Sequence, residues 1–515
     1  MKKDIVLLFF LTLLLSSCAA TLPTDFPRTQ SQSYTDTDTT FLGQTVHPLA
    51  ANHPGKSGFH ILDDGLDAFV ARVVLARSAQ RSLDIQYYLY HDDLIGRLFT
   101  EELFKAADRG VRVRLLVDDM DLKGRDIGAT AIDSHPNIEV RIFNPFSRDV
   151  GRITQLITRL GSVTRRMHNK SFTADNQVSI LGGRNIGNTY FNADPDLAFA
   201  DLDVMCIGPV VEDVSDSFDL YWNSELSYPA SVLAKETVTK EQYSQGRKEL
   251  ATFVALQSHS LYMKSLTQSN LAEKLRNNKV DYAWGDAQIV YDLPEKITAP
   301  TDQTEYHLVP QLTPYLEGVE KELIILSPYF VPGKAGSAFL IDLVKKGIKV
   351  KILTNSLAST DVSIVHAGYA RYRERLLKGG VELYEVNKKA DSSKKTTFKG
   401  SSKASLHAKS FIFDRKYIFI GSLNLDPRSF IQNTEIGVLF SSKDIGEQLG
   451  IEFKRISENA AFRLELVEKQ NGTNQIIWHG KTQGKPVSYK VDPHTSVWKR
   501  FAIDFMRLLP IESQL

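Results

Sequence analysis

The chain has 515 residues, 42% of them apolar and 24% charged, an ordinary globular composition that excludes disorder, collagen or a multi-span membrane protein for its bulk. Lys and Arg number 62 against 61 Asp and Glu, a net charge of +1, so any attraction to phosphate has to be local. Two cysteines, Cys18 and Cys206, rule out a disulfide framework and a CxxC metal site.

The N-terminus, Met1-Lys2-Lys3-Asp4, precedes an apolar run from Ile5 to Leu15. That run is too short to span a bilayer and has the layout of a secretory signal. It ends Leu15-Ser16-Ser17-Cys18, which resembles the lipobox of bacterial lipoproteins. The resemblance implies removal of residues 1–17 and lipid on Cys18. Residues 18–57 then read as lipidated Cys and flexible tether, rich in Thr, Ser, Asp and Gln. The expected location is the bacterial envelope, lipid-anchored and facing the periplasm. Ala19 favours the outer membrane over the inner one. Cys206, within Val204-Met205-Cys206-Ile207, is expected in the core.

Two stretches repeat one pattern. EELFKAADRGVRVRLLVDD (101–119) and AFLIDLVKKGIKVKILTN (338–355) each read as helix, basic residue, Gly, strand. Gly110 and Gly347 are placed to cap the helices. A strand precedes each (83–90 and 323–330) and another follows (138–143 and 381–386). Such alternation predicts α/β architecture: two similar lobes, each a mixed, largely parallel sheet flanked by helices. A pseudo-twofold axis would relate them, with the active site between. The lobes are expected over 58–228 and 306–515. A helical connector, 229–305, joins them and has room to shape acyl-chain access.

The third shared block carries the chemistry. HNKSFTADNQVSILGGRN (168–185) and HAKSFIFDRKYIFIGSLN (407–424) both fit His-x-Lys, four residues, Asp, six residues, Gly-x-x-Asn. On a strand, residues two apart share a face, so His168 pairs with Lys170 and His407 with Lys409. Asp175 and Asp414 have the opposite parity and read as structural residues at hairpin turns. The return strands end Gly182-Gly183-Arg184-Asn185 and Gly421-Ser422-Leu423-Asn424, leaving Asn185, Ser422 and Asn424 beside an anion.

Two His, two Lys and two Asn suit a phosphodiester in transit. One imidazole attacks phosphorus; the other passes the proton to the leaving oxygen. No metal-ligand spacing is present, and no cofactor is expected. Each imidazole needs an acceptor on its second nitrogen. Aligning DLDVMCIG (201–208) with NTEIGVLF (433–440) offers Asp203 and Glu435 for that role.

These motifs resemble the phospholipase D superfamily, whose signature is the duplicated HxKx4D. The segments LDIQYY (83–88), GGRNIG (182–187), SPYFVP (327–332), TNSLASTDVSIVHAGYARYR (354–373) and GSLNLDPRS (421–429) are similar to its cardiolipin synthase C-type branch. The resemblance covers residues 58–515. It places Asp175 and Asp414 in the catalytic motifs and implies His168 as nucleophile and His407 as acid/base. It also suggests Gln86, Tyr329, Asp361 and His366 for a substrate pocket. The implied activity is phosphatidyl transfer making cardiolipin from phosphatidylglycerol and a second phospholipid. Hydrolysis to phosphatidic acid is the alternative. A periplasmic nuclease fits poorly with a charge of +1, so no nucleic-acid partner is expected. A non-catalytic envelope scaffold fits poorly with two complete motifs. The partners expected are phospholipid and a membrane surface; an activating protein is left open.

Three further segments bear on that surface. Arg148, Arg152, Arg159, Arg165 and Arg166 surround apolar residues at helical spacing before the first motif. Lys388, Lys389, Lys394, Lys395, Lys399 and Lys403 lie in a Ser/Thr-rich loop before the second. The C-terminus from Ser496 reads as an amphipathic helix with Val497, Phe501, Phe505 and Leu508 on one face.

Overall fold

Alternating strands and helices between residues 82 and 143 fold as the sequence pattern requires. The strands Ser82–Tyr87, Arg112–Asp118 and Ile138–Phe143 pair in parallel. In the second lobe Glu322–Leu326, Lys349–Thr354 and Glu382–Val386 do the same. Gly110 and Gly347 close the intervening helices, Leu94–Asp108 and Gly333–Lys345, with φ of +93° and +89°. This left-handed conformation is where Gly is favoured. The computed structural model describes residues 22–159, 161–194, 196–390, 404–482 and 484–507.

Antiparallel strands extend both sheets. The first motif builds the hairpin Ser171–Ala174 with Val178–Gly182, and Asp203–Ile207 and Ser57–Leu62 continue the sheet. The second builds Ser410–Phe413 with Tyr417–Gly421, continued by Ile436–Ser441 and Ala287–Tyr291. Strand order thus repeats between the lobes. The parallel run is confined to three strands per sheet, less than the largely parallel sheets expected. Each motif is a hairpin and must run antiparallel.

Among the described residues, the three largest regions of apolar packing hold the lobes. One lies under the helices of each lobe. The third is shared: Phe59, Leu181, Val204 and Cys206 of the first lobe pack with Ile412, Ile418, Ile420 and Phe440 of the second. Phe59 and Phe440 stack at 4.1 Å. Burial at that seam raises the Cys206 thiol pKa.

Two expectations need correction. Residues 22–51, read as flexible tether, lie along the first lobe. Arg141 donates to the Thr29 carbonyl and Arg114 to that of Ser31, while Ser33 N–H donates to Asp219 at 2.8 Å. The helix Phe41–Ala51 buries Leu42 and Val46. A polar stretch is tied down here by hydrogen bonds to buried arginines, a partner its own composition does not reveal. The connector is also not wholly helical. After Lys240–Gln257, Leu261–Thr267 and Asn270–Arg276 it ends in Ala283–Gly285, which joins the first sheet, and Ala287–Tyr291, which joins the second. The β-branched pair Ile289-Val290 fits the strand that seals the seam. Cys18 lies outside the described residues, as do Lys394, Lys395, Lys399, Lys403 and Leu508.

Candidate active site

Each motif His is held by the backbone of the opposite lobe. His168 N–H donates to the Thr434 carbonyl at 2.9 Å, and His407 N–H to the Ala200 carbonyl at 2.8 Å. Around them Met167 bridges Thr434, and Ala404–Leu406 pairs in parallel with Ala198–Ala200. The two motifs therefore meet across the seam.

Their side chains exchange partners in the same way. His168 Nδ1 lies 2.8 Å from Glu435 Oε2, and His407 Nδ1 lies 2.6 Å from Asp201 Oδ2. An Nδ1–H donated to carboxylate leaves Nε2 with its lone pair. Lys170 Nζ and Lys409 Nζ each donate to the carbonyl of their own motif His at 2.5 Å. Lys409 Nζ also lies 3.3 Å from His407 Nε2. The Tyr88 ring meets His168 edge-on at 4.9 Å, while Tyr190 and Phe199 flank His407 at 5.2 and 4.9 Å. The site combines two imidazoles, two ammonium groups and aromatic walls, nearly closed to solvent.

Burial dominates the electrostatics. It drives His168 well below its ordinary pKa, and the charges of Lys170 and Lys409 add to the effect. His407 is lowered by burial and Lys409, against the opposing pull of Asp201. Burial brings Lys170 down to about 7 and Lys409 to about 8. The two acids diverge. Burial raises Glu435 to about 7 despite Lys170 and Ser422. Burial also works to raise Asp201, but His407 and Lys409 overcome it and hold the group below the usual carboxylate range. The Asp201–His407 pair is thus the more ionic one.

The expectation that Asp203 orients a motif imidazole needs correction. Asp203 does not reach it. Its carboxylate pairs with Arg72 at 2.8 Å and Arg184 at 3.4 Å, all three buried. The pairing register explains the slip: Gly182 opposes Asp203, whereas the equivalent Gly421 opposes Gly437. Asp203 therefore matches Gly437, and Asp201 matches Glu435. A two-residue shift preserves the face of a strand, so alternation cannot detect it.

The motif aspartates stand away from the imidazoles. Asp175 accepts the N–H groups of Gln80, Arg81 and Ser82 at 2.7–3.1 Å. Asp414 accepts those of Glu320, Lys321 and Glu322 at 2.7–2.9 Å. Both sit at hairpin turns with φ near +50° and fix the start of the first parallel strand. Inclusion among catalytic groups is corrected accordingly.

Ser422 is committed to its neighbour acid. Its hydroxyl donates to Glu435 Oε2 at 2.5 Å and accepts from Ile436 N–H at 3.0 Å. Asn185 donates to the Tyr190 hydroxyl at 2.9 Å and accepts from Leu89 N–H at 3.1 Å. Asn424 is buried with its Oδ1 unpartnered among the described residues. Tyr329 donates to Asp361 at 2.8 Å, and Asp361 is near enough to favour the charged forms of His407 and Lys409. Gln86 is fully buried behind the first motif, 3.1 Å from the Met167 sulfur. His366 corrects the pocket reading. It is buried against Arg373 and 3.6 Å from Asp492, inside a network that also ties Arg373 to Glu385 at 3.0 Å.

Several supports had no motif to reveal them. Asp292, at the end of the connector, accepts Glu435 N–H at 2.8 Å and pairs with Lys296 at 2.9 Å. Asp118 accepts Met167 N–H at 3.0 Å and pairs with buried Arg166. Asn355 clasps Leu406 through both backbone groups at 2.9 and 2.8 Å. The acid that ends the strand Arg112–Asp118 is the one local trace of the Asp118 support. Most of the basic segment before the first motif is likewise structural: Arg148 and Arg152 bind Asp119, and Arg165 binds three carbonyls around residues 296–299. Among the described residues no cluster of His, Cys, Asp and Glu suited to a metal ion occurs.

Comparison with known proteins gives consistent results. The family model described as "Cardiolipin synthase, PLD-like domain" matches residues 74–222 and 312–457. The chain is 41% identical to cardiolipin synthase C of Escherichia coli K12, covering 92% of this chain and 99% of that one. It is 34% identical to an uncharacterized protein of Helicobacter pylori, covering 92% and 93%. The solved phosphatidylserine synthase of Haemophilus influenzae aligns with a TM-score of 0.57 at 14% identity, over 92% of this chain and all of that one. At that identity the likeness speaks for the fold.

Proposed function

Because the chain belongs to the phospholipase D-like cardiolipin synthase family, we propose that it makes cardiolipin by phosphatidyl transfer through a phosphohistidine on His168. The observation that carries this reading is the crossed pairing of two buried imidazoles with carboxylates of the opposite lobe, each beside a buried lysine. The family's phosphodiesterase chemistry needs a neutral nucleophile, a proton carrier and cations on phosphate.

His168 suits the nucleophile. Its low pKa keeps it neutral, and Glu435 holds Nδ1 so that Nε2 attacks phosphorus. The P–N bond forms as the P–O bond to the headgroup breaks. His407, whose imidazolium Asp201 supports against the lowering by burial and Lys409, gives its proton to the leaving alkoxide. The headgroup departs as free alcohol: glycerol from phosphatidylglycerol, ethanolamine from phosphatidylethanolamine. A hydroxyl of phosphatidylglycerol then attacks the phosphatidyl-histidine. His407 takes its proton, and His168 leaves with its lone pair restored. Lys170, Lys409 and Asn424 bear on the phosphoryl oxygens throughout.

The membrane reading rests on exposed apolar residues. The helix Val497–Met506 buries Ile503 against Leu357 and Ala367. Its Val497, Trp498, Phe501 and Phe505 are 58–81% exposed. Beside the first lobe's strand ends, Ile127, Ile153 and Met120 are exposed as well. Such residues suit the acyl boundary of a bilayer, with Lys499 and Arg500 at headgroup level. No described helix is long and apolar enough to cross a membrane. Lipid on Cys18 would supply the anchor at the periplasmic face of the envelope, the outer membrane being favoured.

Defined lipids test the reaction. Phosphatidylglycerol, alone or with phosphatidylethanolamine, is expected to give cardiolipin. Phosphatidic acid as sole product in excess phosphatidylglycerol would make the enzyme a hydrolase.

A further inference from the structure

The helix Lys240–Gln257 of the connector has none of its residues fully buried, yet it roofs an apolar cavity. The cavity measures about 500 Å³ and is walled by Phe104, Leu115, Val117, Ile132, Leu250 and Phe253. Two cation–ring contacts hold the roof to the helix Leu94–Asp108. Arg247 lies 4.0 Å over Phe104 and pairs with Asp108, and Arg97 lies 4.8 Å over Phe253. It is partly open to solvent, and its lining also includes His91, Asp92, Arg125 and Glu249.

Its position connects it to the chemistry. Tyr90, which lines the cavity, is two residues beyond Tyr88, whose ring touches His168. Val117, also lining it, precedes Asp118, which holds the backbone of Met167. Two residues of extended chain span roughly 7 Å, so the cavity wall at Tyr90 lies one short stretch of strand from the residue whose ring meets the attacking imidazole. Its outer side carries exposed Met120 and Ile127 on one wall and exposed Leu256 just past Phe253 on the other. A methylene is close in size to a water molecule's share of liquid volume, about 30 Å³, so the space suits one chain of roughly 16 carbons.

We propose that this cavity is an acyl-chain site: it takes one fatty-acyl chain of the phospholipid whose phosphate lies at His168, entering past Ile127 and Leu256 beneath the helix Lys240–Gln257. The proposal rests on the lipid reading of the active site. It assigns the connector a role in admitting long-chain substrate.

Gly128 and Gly246 line the cavity, and a Cβ at either meets no heavy atom within 4 Å. Gly246→Phe fills the space from a helix interior where any non-Pro residue is at least as favourable as Gly. Gly246→Ala fills almost none of it and serves as the control. Full-length protein is mixed with vesicles holding a phosphatidylglycerol that carries a diazirine at the end of one acyl chain, then irradiated. Peptides covering 122–132 and 243–257 are expected to take the label in wild type and in Gly246→Ala, and to lose it in Gly246→Phe. Equal labelling of the two variants, or label confined to other surfaces, would overturn the site. Transfer rates give a second reading. Gly246→Phe is expected to slow long-chain phosphatidylglycerol at least about tenfold, since even two displaced methylenes carry that much transfer free energy. Dihexanoyl-phosphatidylglycerol should be slowed less than about twofold, its chains being too short to lose the same burial. An equal fall for both lipids would also overturn the site. Label in the cavity without any cardiolipin formed would refute the activity while leaving the acyl site standing.

Discussion

Glu435, carried by the second lobe, accepts a hydrogen bond from Nδ1 of His168, carried by the first. Asp201 does the same for His407 in the opposite direction. Neither lobe therefore contains a complete acid–imidazole pair, and the duplicated motif works only when the seam is closed. Glu435 is itself fixed by Asp292, which accepts its backbone N–H, and by Ser422, which donates to its carboxylate, so three segments converge on one residue.

The first prediction separates Asp201 from Asp203. Asp201→Asn keeps the shape of a buried group but removes the charge that favours the His407 imidazolium. Transfer is expected to fall roughly 10²–10⁴-fold, the range for losing acid–base catalysis. The melting temperature should hardly move. Asp203→Asn leaves buried Arg72 and Arg184 short of their counter-charge, and breaking such a pair costs roughly 3–5 kcal/mol. Thermal denaturation should register that loss. The reverse pattern would restore Asp203 as the orienting acid.

The second concerns the asymmetry between Gly183 and Ser422. A Cβ on Gly183 would collide with the Asp201 carboxylate, while Ser422 donates to Glu435. The shorter acid needs the glycine. The longer one accepts a hydroxyl. Gly183→Ser is expected to displace Asp201 and abolish measurable transfer. Ser422→Ala should cost Glu435 one bond, roughly tenfold in kcat for a hydrogen bond of about 1.5 kcal/mol. Wild-type rates for Gly183→Ser would contradict the packing argument.

The third is the pH profile. His168 is held neutral by burial, so lowering the pH should not protonate it until well below its usual value of 6.5. The acid limb of kcat/KM is therefore expected below pH 6.5. Lys170 and Lys409 lose their protons as pH rises through about 7 and 8, and their positive charge on phosphate goes with them. His407 must carry a proton to act as acid, and burial and Lys409 lower it from its usual 6.5, so the alkaline limb is expected to begin with its deprotonation and to continue through that range. Bound phosphate dianion or diester opposes the loss, so the limb should move to higher pH in kcat. A profile flat from pH 7 to 9 would show that the lysines stay charged throughout.

How far the sequence reached follows from which contacts are local. The His-x-Lys pairs, the Gly-capped helices and the repeated strand order depend on short-range spacing, and all are visible in the chain. Asp201 was missed because a two-residue register shift leaves the strand's facing pattern unchanged; only Gly182 opposite Asp203 fixes it. Asp292 and Asn355 act on backbone groups far along the chain, so no local pattern marks them. His366 reads as a pocket residue by position. Its burial with Arg373 and Asp492 depends on a strand-rich C-terminal region more than a hundred residues away.

The last prediction concerns the motif aspartates. Each gathers three successive backbone N–H groups at the start of a parallel strand, with no contact to an imidazole. Asp175→Ala would strand those donors at a largely buried site. With roughly 1.5–3 kcal/mol for a hydrogen bond to a charged group, and partial rescue by water, a net loss of about 3 kcal/mol is expected. Asp414→Ala exposes two of its three donors to solvent already and should lose less. Both variants should keep near-normal kcat per folded molecule, measured by active-site titration alongside urea unfolding. A fall in kcat of a hundredfold or more with unchanged stability would place these carboxylates in the chemistry after all.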